Sequence, residues 1–181
     1  VDEMVKNATL NKAKISKYKN NIRFIKQDIL DLKKFNPNEK KFDVILSNRC
    51  LINLTSLGLQ KRIIIDLSNF LKKKGSLIIC ENPMEKFVAQ NKLRDHLSLK
   101  KRLPPKFNLL LNEKKILEFL DCSELRLVYK DDFSSLHDLL LYVLIPSINN
   151  GEIDYDHPIL NAAVKLMLSL DKINQFGEWG Q

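Results

Sequence analysis

The stretch FDVILSNRCLINLTSLGLQKRIIIDLSNFLKKKGSLIICEN, Phe42 to Asn82, decides the fold. It opens on an apolar run, Phe42-Asp43-Val44-Ile45-Leu46, too continuous to face water on one side. Such a run is expected as a strand inside a parallel sheet covered on both faces. A helix follows, capped by Thr55 or Ser56, with Leu59, Ile63, Leu67, Phe70 and Leu71 at helical spacing. Lys72, Lys73 and Lys74 stand where the helix dipole favours cations, and Gly75 suits the left-handed residue beyond a helix end. Ser76-Leu77-Ile78-Ile79-Cys80 is then a second buried strand, ending in Glu81-Asn82-Pro83. Strand, helix and strand at these lengths form a βαβ crossover, which demands parallel pairing. The fold class is α/β.

Outward from this unit the chain alternates in the same way. Residues 2–18 read as a helix with Met4, Val5, Ala8 and Ile15 on one side. Asn21-Ile22-Arg23-Phe24-Ile25 reads as a short strand ending in Gln27-Asp28, and Asn36 to Lys41 as a loop around Pro37. Downstream lie a helix from Met84 to about Leu99, a loop with Pro104-Pro105, and a helix capped by Asn112 that carries Ile116, Leu117, Phe119 and Leu120. Leu125 to Tyr129 alternates like a strand. Two further helices are expected, one from Ser134 with Leu136, Leu139, Leu140 and Val143, and one with Ile159, Ala163, Leu166, Met167 and Leu170. No repeat or low-complexity linker interrupts the chain.

Composition narrows the function. With 181 residues, 44% of them hydrophobic, the chain can bury a core, and its apolar runs are too short for a membrane helix. The three cysteines, Cys50, Cys80 and Cys122, form no C-x-x-C pair, and His96, His137 and His157 are equally scattered. Metal-ligand spacing is absent, and the thiols are expected to be ordinary buried or half-buried ones in a reducing cytoplasm. The net charge of +8 rests on 24 Lys against 6 Arg, whereas nucleic-acid recognition leans on arginine. Residues 1–130 carry 28 basic and 14 acidic groups, residues 131–181 only 2 and 8. The runs Lys72-Lys73-Lys74 and Lys100-Lys101-Arg102 read as solvated surface, and nucleic acid is disfavoured as a partner.

In open α/β sheets, ligands bind outside the carboxyl ends of the strands. Three such ends are visible, at Gln27-Asp28-Ile29, Ser47-Asn48-Arg49-Cys50 and Glu81-Asn82. An Asp at the first can accept from an exocyclic amine while the next N–H donates to a ring nitrogen, which would read adenine. On position alone, the turn cap is the favoured reading of Asp28.

The ordered set VDEMVKNA, NIRFIKQDILDL, FDVILSNRCLINL and LQKRIIIDLSNFLKKKGSLIICEN resembles class I S-adenosylmethionine-dependent methyltransferases over about residues 1–130. DDFSSLHDLLLYVLIP is similar to the C-terminal part of one subgroup acting on small molecules, in which an R-x-L-I-N-L-like stretch follows strand four. The resemblance implies a Rossmann-like, mostly parallel sheet over residues 1–130 and a helical substrate cover over 131–181. It implies S-adenosylmethionine as cofactor, bound by Met4 beside the adenosine, by Gln27, Asp28 and Ile29 at the adenine, and by Ser47, Asn48 and Arg49 beside the methionine moiety. Glu81 and Asn82 match the strand-five edge near the substrate entrance, and Asp43 is expected to be structural.

The pattern also has a gap. Such enzymes carry a glycine-rich loop after strand one and an acidic residue ending strand two. No G-x-G occurs among Gly58, Gly75, Gly151, Gly177 and Gly180, where about 7% glycine would supply roughly a dozen residues. The expectation is an incomplete fold, its first two strands upstream of Val1 and its last strand beyond Gln181. The acceptor is expected to be a small molecule or saccharide: the N-P-P-[YF]-like run of base amino-methyltransferases is replaced by Ser-Asn-Arg-Cys, and Cys50 follows Arg rather than the Pro of cytosine C5 enzymes. A basic RNA-binding or RNA-modifying protein and a non-catalytic relic of the fold are the alternatives.

Overall fold

The computed structural model describes residues 2–12, 22, 24–35, 41–132 and 136–169. In chain order these form α1 (Asp2–Lys12), a 3-10 turn (Ile29–Lys34), β1 (Phe42–Asn48), a short 3-10 turn (Leu51–Asn53), α2 (Leu57–Ser68) and β2 (Leu71–Cys80). There follow α3 (Met84–His96), α4 (Glu113–Asp121), α5 (Leu136–Leu139), a π-helical turn (Leu140–Leu144), α6 (Ile145–Ile148) and α7 (Pro158–Ser169). Among the described residues β1 and β2 make a two-stranded sheet. The Phe42 N–H donates to the Phe70 carbonyl at one end and the Arg49 N–H to the Cys80 carbonyl at the other, so the strands run parallel. The crossover expected from Phe42 to Asn82 is present, and Ser56 caps α2 by accepting from the Leu59 N–H at 3.2 Å.

The chain divides into two compact units, Val1–Ser47 with Gln60–Ile79, and Asn48–Leu59 with Cys80–Gln181. In the first, Ile63 and Ile64 of α2 are fully buried. Asp43 meets Lys72 at 2.8 Å in an exposed ion pair that holds its carboxyl below the usual range. In the second, Leu140, Leu141 and Ile145 pack with Leu160 and Ala163 of α7. A separate lacing ties the ends of β1 and β2 to residues 109–111. The Leu109 N–H donates to the Ile52 carbonyl at 2.7 Å, the Met84 N–H to the Leu111 carbonyl at 2.8 Å, and Pro83 pairs with Leu111 in a parallel bridge.

Several expectations are corrected. Ile22, Phe24 and Ile25 lie in no strand, and neither does Leu125 to Tyr129; the flanking Asn21 and Arg23 fall outside the described residues. A strand needs a neighbour for its N–H and C=O groups, and none is offered to either segment among the described residues. Val128 and Tyr129 are accordingly exposed at 82% and 74%. The helix expected to reach residue 18 is described only to Lys12. β1 is not covered on both faces, since Val44 and Leu46 are exposed.

The largest correction concerns the Lys72–Gly75 run, expected as a helix end. Here α2 stops at Ser68, and Leu71 to Gly75 already belong to β2. β2 uses ten residues against seven on β1, so its first half bulges. Gly75 is needed for a close approach rather than for a left-handed turn. A Cβ there would lie 2.9 Å from the Phe42 carbonyl oxygen and 3.0 Å from that of Asp43. Gly75→Ala should therefore destabilise the chain by about 1–3 kcal/mol, read as a lower midpoint in urea unfolding. A midpoint unchanged from the parent would show that the bulge has room to spare.

Candidate active site

Where β1 ends, its backbone takes an uncommon conformation. Arg49 has φ of 51°, a left-handed value that costs a non-glycine residue of order 1–3 kcal/mol. Both its backbone groups are engaged. Its N–H donates to the Cys80 carbonyl at 2.9 Å, and its carbonyl accepts from Asn53 Nδ2 at 2.9 Å. The surroundings thus over-determine the turn and leave the Arg49 side chain exposed.

The next turn, Leu51–Asn53, opens with N–H groups that have no acceptor within the turn itself. Glu81, the first residue beyond β2, supplies the acceptor. Its Oε1 accepts from the Cys50 N–H at 2.8 Å and from the Leu51 N–H at 2.7 Å. Its Oε2 is buried and accepts no hydrogen bond. Burial pushes the Glu81 carboxyl above its ordinary value, against the pull of the backbone N–H groups and of the Arg49 charge. Burial, and then the Glu81 charge, push the Cys50 thiol up as well. A thiol held in that form is a poor nucleophile.

The other candidate residues lie as follows. Asp28 Oδ1 accepts from the Leu30 N–H at 2.9 Å and so caps the 3-10 turn Ile29–Lys34. Its Oδ2 carries no bond to any described residue. Gln27 Nε2 donates to the Asp31 carbonyl at 3.0 Å, bracing the same turn, and Ile29 is half-buried. Met4 lies on α1, but its side chain falls outside the described residues. Ser47 is 6% exposed with an Oγ that makes no hydrogen bond, and Asn48, the last residue of β1, is exposed. Asn82 is exposed, and its carbonyl accepts from the Leu111 N–H at 3.3 Å. Gln27, Asp28, Ile29 and Ser47 belong to the first unit, Asn48, Arg49, Glu81 and Asn82 to the second.

Sequence reasoning placed Glu81 at a strand end but missed its clamp, because the partners stand some thirty residues earlier. It also misread Arg102 and Cys122, and passed over Arg94. Arg94, on α3, is 3% exposed, and Arg102 of the supposed solvated run packs 3.6 Å from the Tyr142 ring centroid. Phe87, Gln90, Asn91 and Arg94 recur at i, i+3, i+4 and i+7, a helical face that the sequence did display. Cys50 and Cys80 are half-buried as expected, but Cys122 is exposed. No described helix is long and apolar enough to cross a membrane.

A family model described as a methyltransferase domain matches residues 1–133. No curated protein and no solved structure matches the chain.

The raised Glu81 carboxyl has a definite sign. An acid whose affinity for its proton is greater when folded binds more protons in that state, so stability falls as pH rises through the raised value. Glu81→Gln keeps an acceptor for Cys50 and Leu51 but cannot ionise. The parent should lose stability relative to Glu81→Gln as pH rises from about 4.5, the ordinary carboxyl value, in unfolding curves taken at successive pH values. Parallel curves would remove burial as the dominant influence on this group. Glu81→Ala should cost about 1–3 kcal/mol at any pH, because it orphans the clamped N–H groups.

Proposed function

Since the chain belongs to the methyltransferase-domain family, we propose that it transfers the methyl group of S-adenosylmethionine to a small-molecule or saccharide acceptor. The observation that carries this reading is the division of labour at Asp28, where Oδ1 fixes the turn and Oδ2 stays available. A carboxylate oriented by its own cap and offering one unengaged oxygen suits the amino group of adenine. Half-buried Ile29 supplies an apolar wall. Met4, Gln27, Ser47, Asn48 and Arg49 complete the proposed cofactor set.

When bound, S-adenosylmethionine supplies an electrophilic methyl group on sulfur. The protein's part is to position and to exclude water. Holding two reactants in near-attack geometry contributes up to roughly 7–11 kcal/mol in well-oriented cases, so no covalent help from a side chain is required. Glu81 is a positioning residue in this scheme, since it fixes the turn that follows Arg49. The acceptor class is supported by Ser47-Asn48-Arg49-Cys50 standing across the end of β1 and by a Cys50 thiol ill suited to attack. A cytoplasmic location and an acceptor other than nucleic acid belong to the same proposal.

Asp28→Asn separates the two roles of that residue. Its side-chain oxygen can still cap Leu30, but its NH2 then opposes the adenine amine. Calorimetric titration of the full chain with S-adenosylmethionine should show binding that Asp28→Asn weakens about tenfold or more, or about 1.4 kcal/mol, with no loss of thermal stability. Equal affinity in the two proteins would sink the adenine assignment.

A further inference from the structure

Two arginines of the second unit, Arg94 and Arg102, lie in each other's field. Arg94 donates from Nε to the Lys100 carbonyl at 2.9 Å and from Nη1 to the Tyr142 carbonyl. Burial, and then the nearby Arg102 charge, hold its proton affinity below the usual guanidinium value. Neither arginine makes an ion pair with a described residue. Buried charges are ordinarily paired, because removing an ion from water is costly. Carbonyl dipoles compensate part of that cost and leave net positive charge in place.

Arg102 is also held in one geometry. Its backbone N–H donates to Asn91 Oδ1 at 2.9 Å, and its carbonyl accepts from Asn91 Nδ2 at 3.0 Å. Its guanidinium lies 3.6 Å from the Tyr142 ring centroid and 5.3 Å from that of Phe87, and Nη1 donates to Gln90 Oε1. The remaining edge, Nε and Nη2, donates to no described residue. That edge carries the two parallel N–H groups that match the two oxygens of a carboxylate or phosphate. An arginine fixed on its faces and at one nitrogen, with this edge open and a second guanidinium nearby, is pre-organised for an oxyanion.

We propose that the Nε/Nη2 edge of Arg102, reinforced by the charge of Arg94, binds an oxyanion group of a small molecule. The site stands on this geometry alone. Its assignment to the acceptor, which would then carry a carboxylate or a phosphate, rests on the methyl-transfer reading. The paired donors set the preference: a lysine would supply charge without them, and a neutral acceptor would leave the open edge without a matching pair of oxygens.

The test uses the full chain without S-adenosylmethionine. Sodium phosphate and sodium acetate are titrated separately at ionic strength held constant with sodium chloride, following the arginine side-chain Nε–H resonances by nitrogen–proton correlation. At least one anion should shift the Arg102 resonance saturably with a millimolar Kd, and the arm that binds more tightly names the oxyanion. Arg102→Lys and Arg102→Gln should each weaken binding tenfold or more, read as the loss of anion-dependent thermal stabilisation. The wild-type resonance keeps the test valid if a variant fails to fold. No saturable shift with either anion, an equal shift with chloride alone, or undiminished binding in Arg102→Lys would overturn the proposal. Because the cofactor is left out, these outcomes are independent of whether the chain binds S-adenosylmethionine.

Discussion

Two parallel strands that end together leave a turn whose N–H groups point away from the sheet, and those groups must find an acceptor. Glu81 meets that demand for Cys50 and Leu51, which fixes where the chain goes after β1. The hydrogen bond from Arg49 to Cys80 sets the height at which both strands stop, so Glu81 emerges beside the turn it serves. From there the lacing proceeds through Pro83, Leu111, Leu109 and Ile52. A left-handed Arg49 is tolerated only because this frame leaves the backbone no alternative.

The chain distributes its positive charge in two different ways. Lysines such as Lys72 stay exposed and pair singly with carboxylates across short distances, where such pairs contribute little to stability. Arg94 and Arg102 are drawn inward, held by carbonyls, an amide and aromatic faces. Guanidinium suits that role because it is planar and less tightly hydrated than ammonium. The few arginines in this lysine-rich chain therefore carry more structural information than their number suggests.

The β1–α2–β2 crossover was legible because its signal is local: apolar runs, helical periodicity and Ser56 before the helix. The same local signal failed at Phe24 and at Val128, because alternation reports which faces a strand would have and not whether a partner exists. At Gly75 it gave the wrong reason for the right residue, since a close approach by the Phe42 and Asp43 carbonyls leaves no mark within the Lys72–Gly75 run. Asp28 was legible as a turn cap, and the structure shows that role directly. Glu81 and Arg102 were legible only as polar residues, because what gives them meaning is an N–H some thirty positions earlier and a ring forty positions later.

The π-helical turn at Leu140–Leu144 carries a last consequence. A π turn holds one residue more than an α turn, so the uninterrupted helical run from α5 to α6 can be described as an α-helix with an insertion. Losing one residue there would return the run to a plain α-helix, and because the π turn absorbs the extra residue, the segment after it would keep its phase. Ile145 would stay against Leu160 and Ala163, whereas the turn's own backbone would close up, and with it the Tyr142 carbonyl that Arg94 uses. The extra residue therefore serves the arginine cluster rather than the α7 core.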